Sequence, residues 1–98
     1  MPLRVTFTAP LGSGQHGRGV YTWVQTDDET TDLLADLPVP RVGFQAIKVY
    51  ATVGETCWPT SVFPSDGAYL LLIARRVREA EDLAVGKPVT VHLDIEGT

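Results

Sequence analysis

The feature that most constrains this chain is an alternating stretch broken by a single Gly-X pair. From Ile47 to Val53, apolar Ile47, Val49, Ala51 and Val53 interleave with Lys48, Tyr50 and Thr52, the period-two pattern of a half-buried strand. Gly54-Glu55 follows, a pair of the kind that closes a two-residue type II′ hairpin. Such a turn fixes the register: Val53 faces Thr56, Ala51 faces Trp58 and Val49 faces Thr60. One face of the hairpin is then Ile47, Val49, Ala51, Val53, Trp58, Thr60 and Val62. Lys48, Tyr50, Thr52, Cys57, Pro59, Ser61 and Phe63 share the other. Ala51 leaves room for the Trp58 indole. Pro59 cannot donate to a ladder, so the strand meets an edge, a bulge or a bend there.

The same alternation appears at both ends of the chain. Leu3, Val5, Phe7 and Ala9 alternate with Arg4, Thr6 and Thr8, and Val89, Val91, Leu93 and Ile95 with Thr90, His92, Asp94 and Glu96. GVYTWVQ (19–25) is rich in strand formers, and the glycine-rich PLGSGQHGR before it suits a hairpin loop. Thr26 with Glu29 fits a capping box for a short helix that carries Leu33, Leu34 and Leu37 and ends at Pro38 and Pro40. Pro64-Ser65-Asp66-Gly67 is a turn. AYLLLI after it is apolar on both faces, so it is expected to be central or covered by a helix. ARRVREAED reads as a short surface helix, and Gly86-Lys87-Pro88 redirects the chain. The expected order is ββαβββαβ: a mainly β single domain over 1–98, built as a small six-stranded closed or partly open β-barrel with two short helices. Closure is the economical way for so small a sheet to remove its edges.

Composition narrows the functions. Twelve acids against eight bases give a formal charge of −4, which argues against nucleic acid, whose phosphates are bound mainly by Lys and Arg. A single cysteine, Cys57, excludes an internal disulfide and a cysteine-based zinc site. No segment approaches the ~20 apolar residues of a membrane helix, and the start does not read as a signal peptide. A cytoplasmic location is expected, with no metal and no cofactor.

Four groupings invite a functional reading. Gly12, Gly14 and Gly17 match G-x-G-x-x-G, but a dinucleotide site needs a helix next, and GVYTWV is strand-like. Cys57 with His16 or His92 has the makings of a nucleophile and base, yet Cys57 lies mid-strand and His92 on an outer face. Arg75, Arg76 and Arg78 are followed by Glu79, Glu81 and Asp82, so a solvated helix face with Arg75–Glu79 and Arg78–Asp82 pairs is the simpler reading. Trp58, Thr60, Ser61, Tyr69 and Arg78 remain as candidate ligand-binding residues. The aromatics would wall a small pocket at one barrel end and Ser61 and Arg78 would anchor polar groups. The competing reading buries Trp58 and Tyr69 in the core.

From Ala46 onward the sequence resembles the bacterial and archaeal domain-of-unknown-function family 1905. The resemblance rests on Gly54, Trp58, Thr60, Ser61, Phe63, Pro64, Gly67, Tyr69, Leu71, Val77, Arg78, Gly86, Val89 and Val91. The N-terminal half matches more loosely through the first strand and Tyr21-Thr22-Trp23. It implies a small six-stranded barrel with helices at its ends. The chain departs where Pro59 follows Trp58, at Leu71-Leu72-Ile73-Ala74 and at Gly86-Lys87, losing two basic positions usual in the family. Some relatives carry a second, bacteriocin-protection (OmpD-associated) domain, and a role that depends on it is not carried over. The expected function is a non-catalytic module that recognises a small ligand or a protein partner, including a second copy as a homodimer. The alternative is an enzyme of unrecognised type using Ser61 or Cys57, with nucleic-acid binding a distant third.

Overall fold

The computed structural model describes residues 3–17 and 19–96. Among them, seven strands form one antiparallel sheet: β1 (Leu3–Pro10), β2 (Gly12–His16), β3 (Gly19–Gln25), β4 (Ile47–Val53), β5 (Thr56–Ser65), β6 (Ala68–Ile73) and β7 (Pro88–Ile95). Their spatial order is β1-β7-β4-β5-β6-β3-β2. Helix α1 (Asp28–Asp36), a single 3-10 turn (Gly43–Gln45) and helix α2 (Arg75–Ala80) complete the chain.

The central hairpin has the register that its turn dictates: Val53 pairs with Thr56, Ala51 with Trp58 and Val49 with Thr60. Gly54 takes a φ of 57° while Glu55 is not among the positive-φ residues, as a type II′ turn requires. At the next hairpin Ser65 pairs with Ala68, and both Asp66 (φ 50°) and Gly67 (φ 78°) are left-handed. That is the Asp-Gly type I′ turn. It extends β5 through Pro64, which pairs with Tyr69.

One expectation about the sheet is corrected and one is narrowed. It has seven strands rather than six, and of the closed and partly open forms expected it takes the open one, a half-barrel. The extra strand is β2, drawn from the glycine-rich stretch read as a loop. Gly12 pairs with Trp23 and Gly14 with Tyr21, and the ladder runs out to His16 and Gly19. β1 and β2 form opposite edges of the sheet although only Leu11 lies between them. With every neighbouring pair antiparallel, the two edge strands run in the same direction. A parallel pairing needs a long crossover connection, so β2 continues β1 past a bend and those edges do not zip together. Leu11 is instead pinned across the bend: its N–H donates to the Lys87 carbonyl at 3.0 Å, and the Gly86 N–H donates to its carbonyl at 2.8 Å.

The inner face carries the core. Val5, Phe7, Val24, Ile47, Val49, Ala51, Val53, Val62, Leu71, Val91 and Leu93 are buried there with Trp58 and Tyr69. Leu34 of α1 and Val77 of α2 join the same buried cluster. Helix α1 starts one residue later than the capping-box pattern predicts. Asp27 is the N-cap, accepting from the Thr30 amide at 2.8 Å, because Thr26 is engaged elsewhere. The Thr26 N–H donates to the Tyr69 carbonyl, and its Oγ1 accepts from the Tyr69 N–H at 3.0 Å. Thr26 therefore ends a strand rather than starting a helix. Leu33 is exposed. No basic residue lies in the last turn of α1. Arg41 compensates, its Nη2 donating to the carbonyls of Leu34, Ala35 and Leu37 at 3.1, 3.3 and 3.1 Å. A cation at these orphan carbonyls is favourable.

Candidate functional site

Across the outer face, side chains line up in rows set by the ladders. Thr6, His92, Thr52 and Cys57 form one row, and Arg4, Asp94, Tyr50 and Pro59 form the next. In the first row Thr6 Oγ1 and His92 Nδ1 are 2.8 Å apart. Thr52 stands between His92 and Cys57, which separates those two by two strand spacings, about 9.5 Å. A Cys57–His92 dyad needs hydrogen-bond reach, and the sheet denies it. The side chain of His16 falls outside the described residues. In the second row, Arg4 Nε and Nη2 each donate to Asp94 at 2.9 Å. That hydrogen-bonded guanidinium holds the Asp94 carboxyl below the usual aspartate range.

Pro59 locates the opening in the sheet. The residue pairs of a two-residue hairpin alternate from a hydrogen-bonded pair at Val53 and Thr56, so the backbone nitrogen of Pro59 points away from β4. The β5–β6 ladder runs only from Val62–Leu71 to Ser65–Ala68. Before Val62, β5 is bonded to β4 alone, and a proline there leaves no ladder bond broken. Where β5 parts from β6, a groove of about 1020 Å³ opens. Tyr50, Pro59, Phe63 and Leu72 are among its apolar walls, and Val39, Pro40 and Val42 of the α1–β4 segment bound it. Lys48, Ser61, Thr60, Asp94 and Glu96 supply its polar groups. Tyr50 is 47% and Leu72 43% exposed, so these walls face solvent.

The five residues singled out from sequence are divided. Thr60 and Ser61 line the groove. Trp58 and Tyr69 do not; at 5% and 8% exposure they are core side chains. Arg78 is half-buried on α2 and lines none of the described cavities. The solvated reading of the arginine cluster holds for Arg75, which donates to Glu79 at 2.7 Å. The Arg78–Asp82 pair does not form, because α2 ends at Ala80 and Asp82 turns left-handed.

The groove residues that sequence reasoning passed over had a signal. Tyr50, Pro59 and Phe63 were placed together on the outer hairpin face, and Leu72 sits on the outer face of a strand apolar on both sides. That strand is central, as expected, between β5 and β3, but no helix covers its outer face. A second aromatic feature lies on the next strand, where Trp23 pairs with Leu72 and the Tyr21 and Trp23 rings are 5.5 Å apart and tilted by 41°. Trp23 lies over Gly12 and Gly14, so the G-x-G spacing serves a ring rather than a phosphate. Among the described residues, no group of three or more His, Cys, Asp or Glu side chains is placed to hold a metal. No helix among them is long and apolar enough to cross a membrane.

A family model described as a domain of unknown function (DUF1905) matches residues 7–93. No curated protein matches the chain, and no solved structure does.

Proposed function

We propose that this chain, which belongs to the DUF1905 family, is a non-catalytic binding module whose outer groove receives an apolar group from a small ligand or a protein partner. The observation that carries this reading is the pair of solvent-facing walls, Tyr50 and Leu72, at the point where β5 leaves β6. Covering a leucine-sized side chain contributes roughly 1.5–3 kcal/mol. Ser61 and Lys48 add a hydroxyl and an ammonium beside the apolar walls, the few convergent polar groups that orient a ligand. Catalysis has less support. Among the described residues, no base is hydrogen-bonded to Ser61 or Cys57, and the nearest imidazole in Cys57's own row is two strands away.

The test is an amide NMR titration with indole as the probe, an apolar bicyclic of the right size, up to low-millimolar concentration. Saturable shifts are expected at Tyr50, Ser61 and Leu72, with a dissociation constant on the order of 1 mM. Leu72→Glu is expected to abolish them. Shifts confined to other parts of the sheet, or none at all, would sink the proposal.

A further inference from the structure

We infer that the apolar group received by the groove is Phe44 of a second copy of this chain, giving a twofold dimer with two reciprocal aromatic contacts. This deepens the binding reading above and rests on it.

Phe44 is 94% exposed, and its backbone is left-handed at φ 59°, ψ 31°. Gln45 beside it is left-handed too, at φ 61°. A side chain with a Cβ is disfavoured in that region, which suits glycine or asparagine. The segment nonetheless holds its shape. Val42 and Ala46 form a β-bridge, the Val42 N–H donates to the Ala46 carbonyl at 2.8 Å, and the Ala46 N–H donates to the Gly43 carbonyl at 3.2 Å. Arg41, just before the loop, is fastened to the end of α1. A strained, braced loop thus holds an aromatic ring in water, with no core contact to offset the strain. Strain maintained by its surroundings points to use, and a ring carried on a braced backbone loses less entropy on docking than one on a free loop.

The occupant follows from where knob and hole lie. Val42 lines the groove while Phe44, two residues on, does not. The loop that carries the ring thus begins at the wall of the groove, and the ring does not fill the groove of its own chain. An isologous interface requires a surface that complements itself. The charges agree: Lys48 and Glu96 both line this groove, and neither has an ion-pair partner among the described residues. A twofold axis can set Lys48 of one copy against Glu96 of the other, giving electrostatic complementarity.

Sedimentation velocity on the full chain, from about 1 to 500 µM, tests this. The wild type should associate to a dimer with a dissociation constant in the micromolar range, roughly. Phe44→Gly removes the ring and suits the left-handed backbone, so its thermal midpoint at low concentration should not fall. Its dimer should weaken about 100-fold, since each dimer loses two anchors. Leu72→Glu should weaken it comparably from the groove side. Mixing the two variants should give a heterodimer tighter than either homodimer, because one intact ring then meets one intact groove. A wild type that stays monomeric throughout, or a Phe44→Gly variant that dimerises like the wild type, overturns the inference. Indole titration of Phe44→Gly separates the two readings. Shifts at Tyr50 and Leu72 alongside a monomeric wild type leave the groove a binding site but refute the dimer. No shifts and no dimer refute both.

Discussion

Gly12 faces Trp23 across the β2–β3 ladder, and the indole lies so close that a Cβ on Gly12 would sit 2.8 Å from its Cε2 atom. The ring covers Gly14 as well, where a Cβ would meet Cζ3 at 3.1 Å. Two glycines on one face of an edge strand thus form the bed for a large aromatic. Gly12→Ala should cost about 1–3 kcal/mol in urea unfolding as the indole is displaced, and Gly14→Ala less. Repeating Gly12→Ala in a Trp23→Leu background should recover most of that loss, and a double-mutant cycle with no coupling would disprove the contact.

Trp58 behaves as a core residue. Trp58→Ala should destabilise the fold by about 3–5 kcal/mol through the void it leaves beside Ala51. With Trp23 replaced by Phe, the remaining emission should be blue-shifted and resist acrylamide quenching. Red-shifted, readily quenched emission would place Trp58 at a surface instead.

Arg41 fastens the end of α1. Arg41→Ala should cost about 1–2 kcal/mol through lost hydrogen bonds to three carbonyls. It should also speed amide exchange in the last turn of α1 and at Val42 and Ala46. Unchanged exchange there would mean that the guanidinium does not brace the loop.

Acid should weaken the fold in a defined direction. The Asp27 carboxyl is held below its ordinary value by hydrogen bonds from Thr30, and Asp94 by the hydrogen bond from Arg4. A carboxylate with a depressed folded-state pKa stabilises the fold above its unfolded value. That contribution is lost as pH falls through the lower folded value. Urea midpoints should therefore hold from neutrality to about pH 4 and decline below it. Asp27→Asn keeps a side-chain cap without the titrating group, so its decline should be shallower. A profile for Asp27→Asn identical to the wild type would refute the role of Asp27.

The sequence made the central hairpin legible because a two-residue turn leaves nothing to choose in register. It hid β2 because GSGQH has no strand formers; its pairing comes from Trp23 opposite, a tertiary cause overriding local preference. The helix start shifted by one because Thr26 was claimed by Tyr69, a partner 43 residues away. For the site, aromatic character pointed to Trp58 and Tyr69. The same register that paired Trp58 with Ala51 had already turned it inward beside Val49 and Ile47. Tyr50 and Pro59 were on the solvent side of that register, but a groove there depends on β5 leaving β6 and on bare Leu72. No local pattern encodes either.

The pairing of β1 with β7 has a consequence for synthesis. Leu3 meets Ile95 and Phe7 meets Val91, so the first strand of this sheet to be made waits for the last. Until β7 emerges, Val5, Phe7 and Ala9 have no ladder to join. Folding is then slow for a domain of this size, since its defining contacts are the most distant in sequence. A circular permutant that makes β7 and β1 a continuous hairpin should fold faster than the natural order of strands.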